Sequence, residues 1–321
     1  DLQLLFAPIT LLTGLNSSGK SSTLQAIRIC QNQKILKGLG NIKDLRCTLS
    51  NSYPEILIEF DDKQLAKCIF SESETIKADI ADAINYIYYI SADRLGPRVS
   101  LPFKNNVTHV GEIGEDVYSL LSRYRDQGGV PDILRHDSLP DTSSIFEQVR
   151  AWLSIISPGV RFDFQVYSNA DMGIGSFAEF RPTNVGFGLS YTLPIIVSVL
   201  INASILATNK QIKSVTLLLE NPEAHLHPKG QTQLGYFLSL ASQCGVQCII
   251  ETHSEHILNG IRIAVKDKRV PDDNVIFHYF RKKISADCSE AISIFVDQNG
   301  MLDNWPEGFF DEMEQSLTRL L

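Results

Sequence analysis

No C-x-x-C pair occurs among the six cysteines (Cys30, Cys47, Cys68, Cys244, Cys248 and Cys288). That removes the spacing of a zinc ribbon or a dithiol oxidoreductase and leaves reduced core thiols as the expectation. No apolar run stands out at membrane-spanning length and no signal-peptide pattern is visible, so a cytoplasmic location without a membrane partner is expected. Positive charge is the minority: 29 Lys and Arg against 37 Asp and Glu leave a net −8, with a pI near 5.4. This balance argues against wholesale nucleic-acid binding and leaves room only for a local basic groove. Internal repeats and low-complexity tracts are also missing. What remains is 321 residues with 44 % hydrophobic content, enough core for one large α/β domain or two smaller ones. The sequence opens at Asp1 and enters an apolar strand almost at once, so a further strand is expected upstream of it.

That first strand carries the strongest signal. Ile9-Thr10-Leu11-Leu12 leads into Gly14-Leu15-Asn16-Ser17-Ser18-Gly19-Lys20-Ser21, which fits G-x-x-x-x-G-K-[ST] at every fixed position. Ser22 to Ile29 then carries apolar residues at helical spacing. Gly14 and Gly19 allow backbone angles that let successive amides of Asn16, Ser17 and Ser18 face phosphate oxygens. The helix start at Ser21 and Ser22 adds unpaired N–H groups and a positive dipole end. Lys20 would reach the β- and γ-phosphates, and the Ser21 hydroxyl would complete a Mg²⁺ shell. The pattern predicts ATP-type triphosphate binding with Mg²⁺.

Along the chain, Tyr53–Phe60 and Leu65–Phe70 predict a hairpin, Ala78–Tyr86 a helix and Ile87–Ile90 a core strand. The turn Ser91-Ala92-Asp93-Arg94 follows that strand. A helix is predicted over Gly111–Arg125, a loop or mobile insertion over Gln127–Ser144, and an amphipathic helix over Ile145–Ile156. Val160–Val166 predicts a strand with Phe177–Phe180 as its partner, and Tyr191–Leu206 a long apolar helix. Strands at Val215–Leu219, Val246–Ile250 and Val275–Phe280 alternate with helices at Lys229–Ala241 and Glu255–Val265. Such alternation implies a parallel, doubly wound sheet. A terminal hairpin at 291–302 and a final helix within 305–321 close the chain.

Three further segments carry chemistry. Val215–Leu219 ends in Glu220, Asn221, Pro222 and Glu223. An acid fixed at a strand end beside a phosphate loop suits Mg²⁺, directly or through water, which makes Glu220 the second metal ligand beside Ser21. Ile249-Ile250-Glu251-Thr252-His253 ends a second strand on an imidazole, which can hydrogen-bond a γ-phosphate or an attacking water. Asn184–Ser190 (NVGFGLS) is a Gly-rich lead into a helix. Its Gly188 amide and Ser190 hydroxyl form a second anion-seeking helix start, or else a tight turn that packs the helix. His225 and His227 lack a third ligand nearby, and His253–His256 is not H-E-x-x-H, so neither predicts zinc.

In this order the segments resemble the nucleotide-binding heads of the ABC superfamily, in its RecF/SMC/OLD-like branch. GLNSSGKSS, YISADR-GP, NVGFGLSYTLPI, LLLENPEAHLHP, IIETHSEH and the tail DNW-PEGFFDE resemble more closely a bacterial family of AAA-type ATPases with a C-terminal domain of uncharacterised function, found largely among phage-defence genes such as Septu- or retron-associated ATPases. The resemblance implies an α/β ABC-type P-loop head: a mixed or parallel sheet flanked by helices. One domain over 1–321 would carry a β subdomain at 38–78, a helical insertion at 99–158 and a family-specific segment at 284–321. It places Gly14–Ser22 at the Walker A loop, Glu220 at the Walker B acid, Gly188–Ser190 at the signature motif and His253 at the switch histidine. Asp93 and Arg94 fall near the Q-loop, which makes Arg94 a nucleotide contact.

One departure matters. The residue after the Walker B acid in such heads is usually a glutamate that polarises the attacking water, and here it is Asn221. An amide accepts no proton, so Glu223 or His253 substitutes or hydrolysis is slow; general base help is worth about 10²–10⁴-fold. The expected function is a slow ATPase that closes as a homodimer or higher homo-oligomer around ATP, with Gly188–Ser190 completing the partner's pocket. It would control a separate effector, a nuclease or toxin, in antiviral defence. The alternatives are a RecF/SMC-like DNA-repair head, for which 266–269 and 281–283 supply a short basic stripe, and an ATP-binding scaffold without turnover.

Overall fold

Ile9, Leu11 and Leu12 are fully buried, as a strand requires when both faces of its sheet are covered. The computed structural model describes residues 2–41, 43–45, 55–61, 63–71, 76–79, 82–156, 158–282 and 289–320. Cys47, Lys283, Cys288 and the start of the strand expected at Tyr53 lie outside the described residues. In chain order, β1 (Ile9–Gly14) precedes α1 (Lys20–Asn32), then come β2 (Glu55–Glu59), β3 (Leu65–Phe70), β4 (Ile76–Asp79) and β5 (Ile87–Ile90). Next are β6 (Leu101–Pro102), α2 (Val117–Tyr124), α3 (Ile145–Ile156), β7 (Phe162–Tyr167), β8 (Met172–Phe177) and α4 (Phe187–Thr208). The chain finishes with β9 (Val215–Glu220), α5 (Pro228–Ser242), β10 (Val246–Glu251), α6 (Glu255–Lys266), β11 (Val275–Lys282), β12 (Ser289–Phe295) and α7 (Glu312–Leu320).

Contacts divide the chain into two units, residues 1–18 with 88–321, and residues 19–87. The larger unit holds a six-stranded sheet in the order β12-β11-β1-β10-β9-β5. β11, β1, β10 and β9 run parallel, and β12 closes one edge antiparallel to β11. The sheet is therefore mixed rather than wholly parallel. Register puts Leu12 beside Glu251, and Glu251 beside Glu220. A second sheet, β6-β8-β7, is antiparallel. In the smaller unit α1 packs on β2 and β3 of an antiparallel β2-β3-β4 sheet. There Cys30 and Cys68 bring their sulfurs within 3.0 Å, and the Gln31 amide donates to the carbonyls of Ile84 and Ile87 at 3.1 and 2.6 Å.

Several expected elements shift for identifiable reasons. The helix expected over Gly111–Arg125 begins only at Val117, because Gly111 and Gly114 take φ of 84° and 83°. The helix expected at Ala78–Tyr86 is instead the end of β4, which pairs with β3, and a 3₁₀ turn at Asp82–Tyr86. The partner of β7 is β8, and Phe177 and Phe180 form only an isolated bridge. Glycines at alternate positions of β8 concealed that strand; a Cβ on Gly175 would sit 2.1 Å from the Tyr118 hydroxyl. Finally, α4 is long and apolar enough to cross a membrane, contrary to the expectation drawn from the sequence. It is apolar on all sides because 78 % of its most hydrophobic window is buried, packed against α3, α2 and α5.

Candidate functional site

Parallel strands point their C-terminal ends to one edge of the sheet, where ligand-contacting groups gather in open α/β folds. β1 ends at Gly14, β10 at Glu251 followed by His253, and β9 at Glu220. The registers place the three tips side by side, so the β9 tip lies two strands, about 10 Å, from the β1 tip. Main-chain bonds tie them together: Thr252 N–H donates to Leu12 O at 3.0 Å, and Asn221 N–H to Glu251 O at 2.8 Å. The sequence explains this placement, since the three residues before each terminal acid, Leu217-Leu218-Leu219 and Cys248-Ile249-Ile250, are apolar and buried.

The loop after β1 departs from extended backbone at once. Gly14 has φ 135°, and a Cβ there would lie 2.0 Å from the Phe280 carbonyl oxygen, so only glycine fits. Leu15, Asn16 and Ser17 are exposed, while the buried Ser18 hydroxyl donates to Leu15 O at 2.7 Å and tightens the turn. Gly19, at φ 107°, caps α1; Lys20 is its first residue and is buried, followed by half-buried Ser21 and exposed Ser22.

Glu220 is held from two sides. Its Oε2 accepts from the Tyr89 hydroxyl at 2.7 Å and the Ala92 N–H at 3.2 Å. Arg94, 2 % exposed, clamps the backbone: Nη1 donates to Ser91 O at 2.6 Å and Glu220 O at 2.8 Å, and Nη2 to Asn221 O at 2.8 Å. Burial lowers the Arg94 pKa to about 10, against the pull of Glu223, Tyr191, Glu220 and Tyr89. Arg94 thus spends both terminal amino groups on protein carbonyls, whereas the sequence reading has it contacting nucleotide. Asp93 is exposed, and its N–H donates to Ser91 Oγ at 3.0 Å.

Beyond Glu220 the chain turns sharply, with Asn221 at φ 41°. Glu223 Oε1 then accepts from the His253 N–H at 3.0 Å. Burial raises the Glu223 carboxyl above its usual range, although hydrogen bonds from the Thr252 side chain and the His253 amide, together with Arg94, oppose the shift. Arg94 Nε, Asn221 Oδ1 and Glu223 Oε2 are buried without hydrogen-bond partners. His253 itself is exposed, and Ser254 caps α6 with its hydroxyl.

The start of α4 borders this tip. A Cβ on Gly188 would come within 2.7 Å of the His225 carbonyl, so a small residue is required for the helix to approach. Ser190 is half-buried in the first turn. Phe187 and Tyr191 pack against the His225 ring with centroids 5.1 and 4.8 Å away, and Arg94 lies 5.1 Å from the Tyr191 ring centre. His227 caps α5 through Nδ1, and no cluster of three or more His, Cys, Asp or Glu able to hold a metal occurs among the described residues.

The fold is that of an SMC ATPase head. The crystal structure of an SMC head bound to the C-winged helix domain of ScpA matches with a TM-score of 0.53 at 12 % identity, over 92 % of this chain and 93 % of that one. The SMC head of Pyrococcus furiosus with an extended coiled coil, bound to the C-terminal domain of ScpA, matches at 0.53 and 10 % identity over 99 % and 95 %. Residues 137–258 match the AAA ATPase domain family, and residues 270–320 a family described as a protein of unknown function (DUF3696). No curated protein matches the chain in sequence. The chain therefore carries an ATPase-type domain, which implies nucleotide binding. Gly188, Ser190, Glu220, Asn221, Glu223 and His253 fall inside the AAA match; Gly14–Ser22 and Arg94 precede it.

Sequence reasoning missed Tyr89 and Tyr191. Tyr89 was legible only as part of the apolar run IYYI, and the signal that could have found it is the neighbouring turn, whose Ala92 and Arg94 also grip the β9 tip. Tyr191 was legible only as the first residue of the long apolar helix.

Proposed function

We propose that this chain binds ATP with Mg²⁺, hydrolyses it slowly and closes as a dimer around it to control a partner protein. The observation that carries the reading is the shared edge: the complete phosphate-loop sequence leaves β1 beside the acid tip of β9 and the histidine tip of β10. Gly14, Asn16, Ser17, Ser18, Gly19, Lys20, Ser21 and Ser22 bind phosphate. The hydroxyl of Ser21 and the carboxylate of Glu220 are hard oxygen donors of the kind Mg²⁺ takes, and Tyr89 and Ala92 already orient Glu220 through Oε2. When bound, Mg²⁺ neutralises charge on the phosphates.

With Asn221 at the usual base position, a neighbouring group has to take the proton and turnover is slow, which suits a switch better than a motor. Gly188, buried against His225, lets the half-buried Ser190 in the first turn of α4 face a second subunit's nucleotide. The separate effector, a nuclease or toxin in cytoplasmic antiphage defence, is supported by the motif resemblance alone. That both solved SMC heads carry a domain of another protein fits control through a partner. The DNA-repair alternative gains little from the basic stripe, since Arg281 is paired with Glu290 at 2.6 Å and Asp267 interrupts the lysines.

Particle mass measured with and without ATP·Mg²⁺ tests the reading, together with phosphate release from wild type and Lys20→Ala. Wild type should grow in mass with ATP and turn it over, Lys20→Ala should do neither, and Ser190→Arg should bind ATP without assembling. Turnover unaffected by Lys20→Ala would overturn the assignment.

A further inference from the structure

We propose that Glu223 is the general base of hydrolysis, displaced three residues from the acid it follows, and that Asn221 Oδ1 orients the same attacking water. The inference rests on the ATPase reading above. Buried polar atoms are normally paired, because an unpaired one forfeits its hydration without compensation. The β9 tip carries three: the acceptors Glu223 Oε2 and Asn221 Oδ1, and the donor Arg94 Nε. They belong to one cluster, because Asn221 O accepts from Arg94 and Glu223 is the carboxylate that acts most strongly on the Arg94 charge. Two acceptors and one donor are the complement of a single water, which donates twice and accepts once.

Of the two acceptors only the carboxylate can take a proton. Its other oxygen is fixed by the His253 N–H at 3.0 Å, so Oε2 is aimed by a backbone bond instead of swinging freely. Burial also raises the Glu223 carboxyl, which makes it a stronger base than an exposed glutamate. The His253 imidazole is exposed and serves better as a phosphate contact than as a base shielded from solvent. In the step, the water oxygen attacks the γ-phosphorus and the bond from that phosphorus to the β–γ bridging oxygen breaks. ADP leaves with the bond electrons, and the water proton passes to Glu223 Oε2.

The test is steady-state phosphate release by wild type, Lys20→Ala, Glu223→Gln, His253→Ala and the double variant Asn221→Glu/Glu223→Gln, with binding of a fluorescent ATP analogue and thermal midpoints measured in parallel. Gln keeps an acceptor for the His253 amide, so Glu223→Gln should fold and bind the analogue as wild type does. Its kcat should fall about 10²–10⁴-fold, and further than that of His253→Ala. The double variant restores a carboxylate at the usual place and should recover at least about tenfold over Glu223→Gln. Glu223→Gln turning over like wild type, while Lys20→Ala is dead, overturns the base assignment and spares the ATPase reading. Absence of Lys20-dependent turnover in wild type overturns both.

Discussion

Two polar clusters of the larger unit have opposite designs. Around α3, Gln148 is fully buried and fully satisfied: Oε1 accepts from His136 N–H at 2.7 Å, and Nε2 donates to Leu139 O and Thr142 O at 2.9 and 2.8 Å. Trp152 Nε1 donates to Leu134 O at 2.8 Å in the same place. At the β9 tip, by contrast, a buried arginine, an amide and a carboxylate each keep one atom unpaired. The first cluster only holds a loop, and satisfied polar networks rigidify what they hold. The second retains hydrogen-bonding capacity, and proteins tolerate that cost where a ligand or water uses it.

The comparison breaks most visibly at Arg94. Arg94→Ala removes the donors of three carbonyls and the cation facing Glu223, and should lower stability by about 3–5 kcal/mol in urea unfolding. A loss no larger than that of a surface change would mean the tip is not held as described. Gln148→Leu, similar in volume but unable to bond, should cost about 2–3 kcal/mol and expose the 127–144 loop to proteolysis. A silent Gln148→Leu would erase the contrast from the other side.

Acid should sharpen it. Burial lowers the pKa of His278, whose Nε2 bonds Leu5 O and whose Nδ1 meets Ser293 Oγ, and of His136. Protons therefore bind the unfolded chain more readily, so stability is complete above the ordinary histidine value of 6.5 and is lost as the pH falls through the lowered folded values. Unfolding midpoints measured across that range should decline, and less steeply in His278→Gln.

The smallest effect has the opposite sign. Because the Glu223 carboxyl is raised in the folded state, its ionised form costs stability at neutral pH, and the cost disappears below its ordinary value of 4.5. Glu223→Gln should be more stable than wild type at neutral pH while losing activity, the trade expected of a catalytic group, as read from paired unfolding midpoints. A destabilised Glu223→Gln would place Glu223 with Gln148, as structural support.

Much of the site was legible because its pieces are local. The phosphate loop, the acid ending β9 and the histidine ending β10 are each written in fewer than ten consecutive residues, and strand-helix alternation announced the sheet. The 127–144 segment reads as a loop or mobile insertion from its Gly, Pro and Asp content, and it is a loop with a 3₁₀ turn at Asp132–Leu134; its anchor, Gln148, looks in sequence like one polar residue on an amphipathic helix. The β7–β8 pairing was obscured because glycines on β8 make room for Tyr118 rather than show a strand pattern.

By itself, then, the chain determined most of its elements, the phosphate-loop pattern and the absence of a glutamate at 221. Those depend on residue type and on spacing along a strand or helix. Only tertiary structure decided that Arg94 clamps the β9 tip from within, that Tyr89 orients Glu220, and that Glu223 reaches the backbone of His253. Each joins residues dozens of positions apart through strand register and burial, and neither quantity can be read from the neighbours of a residue in sequence.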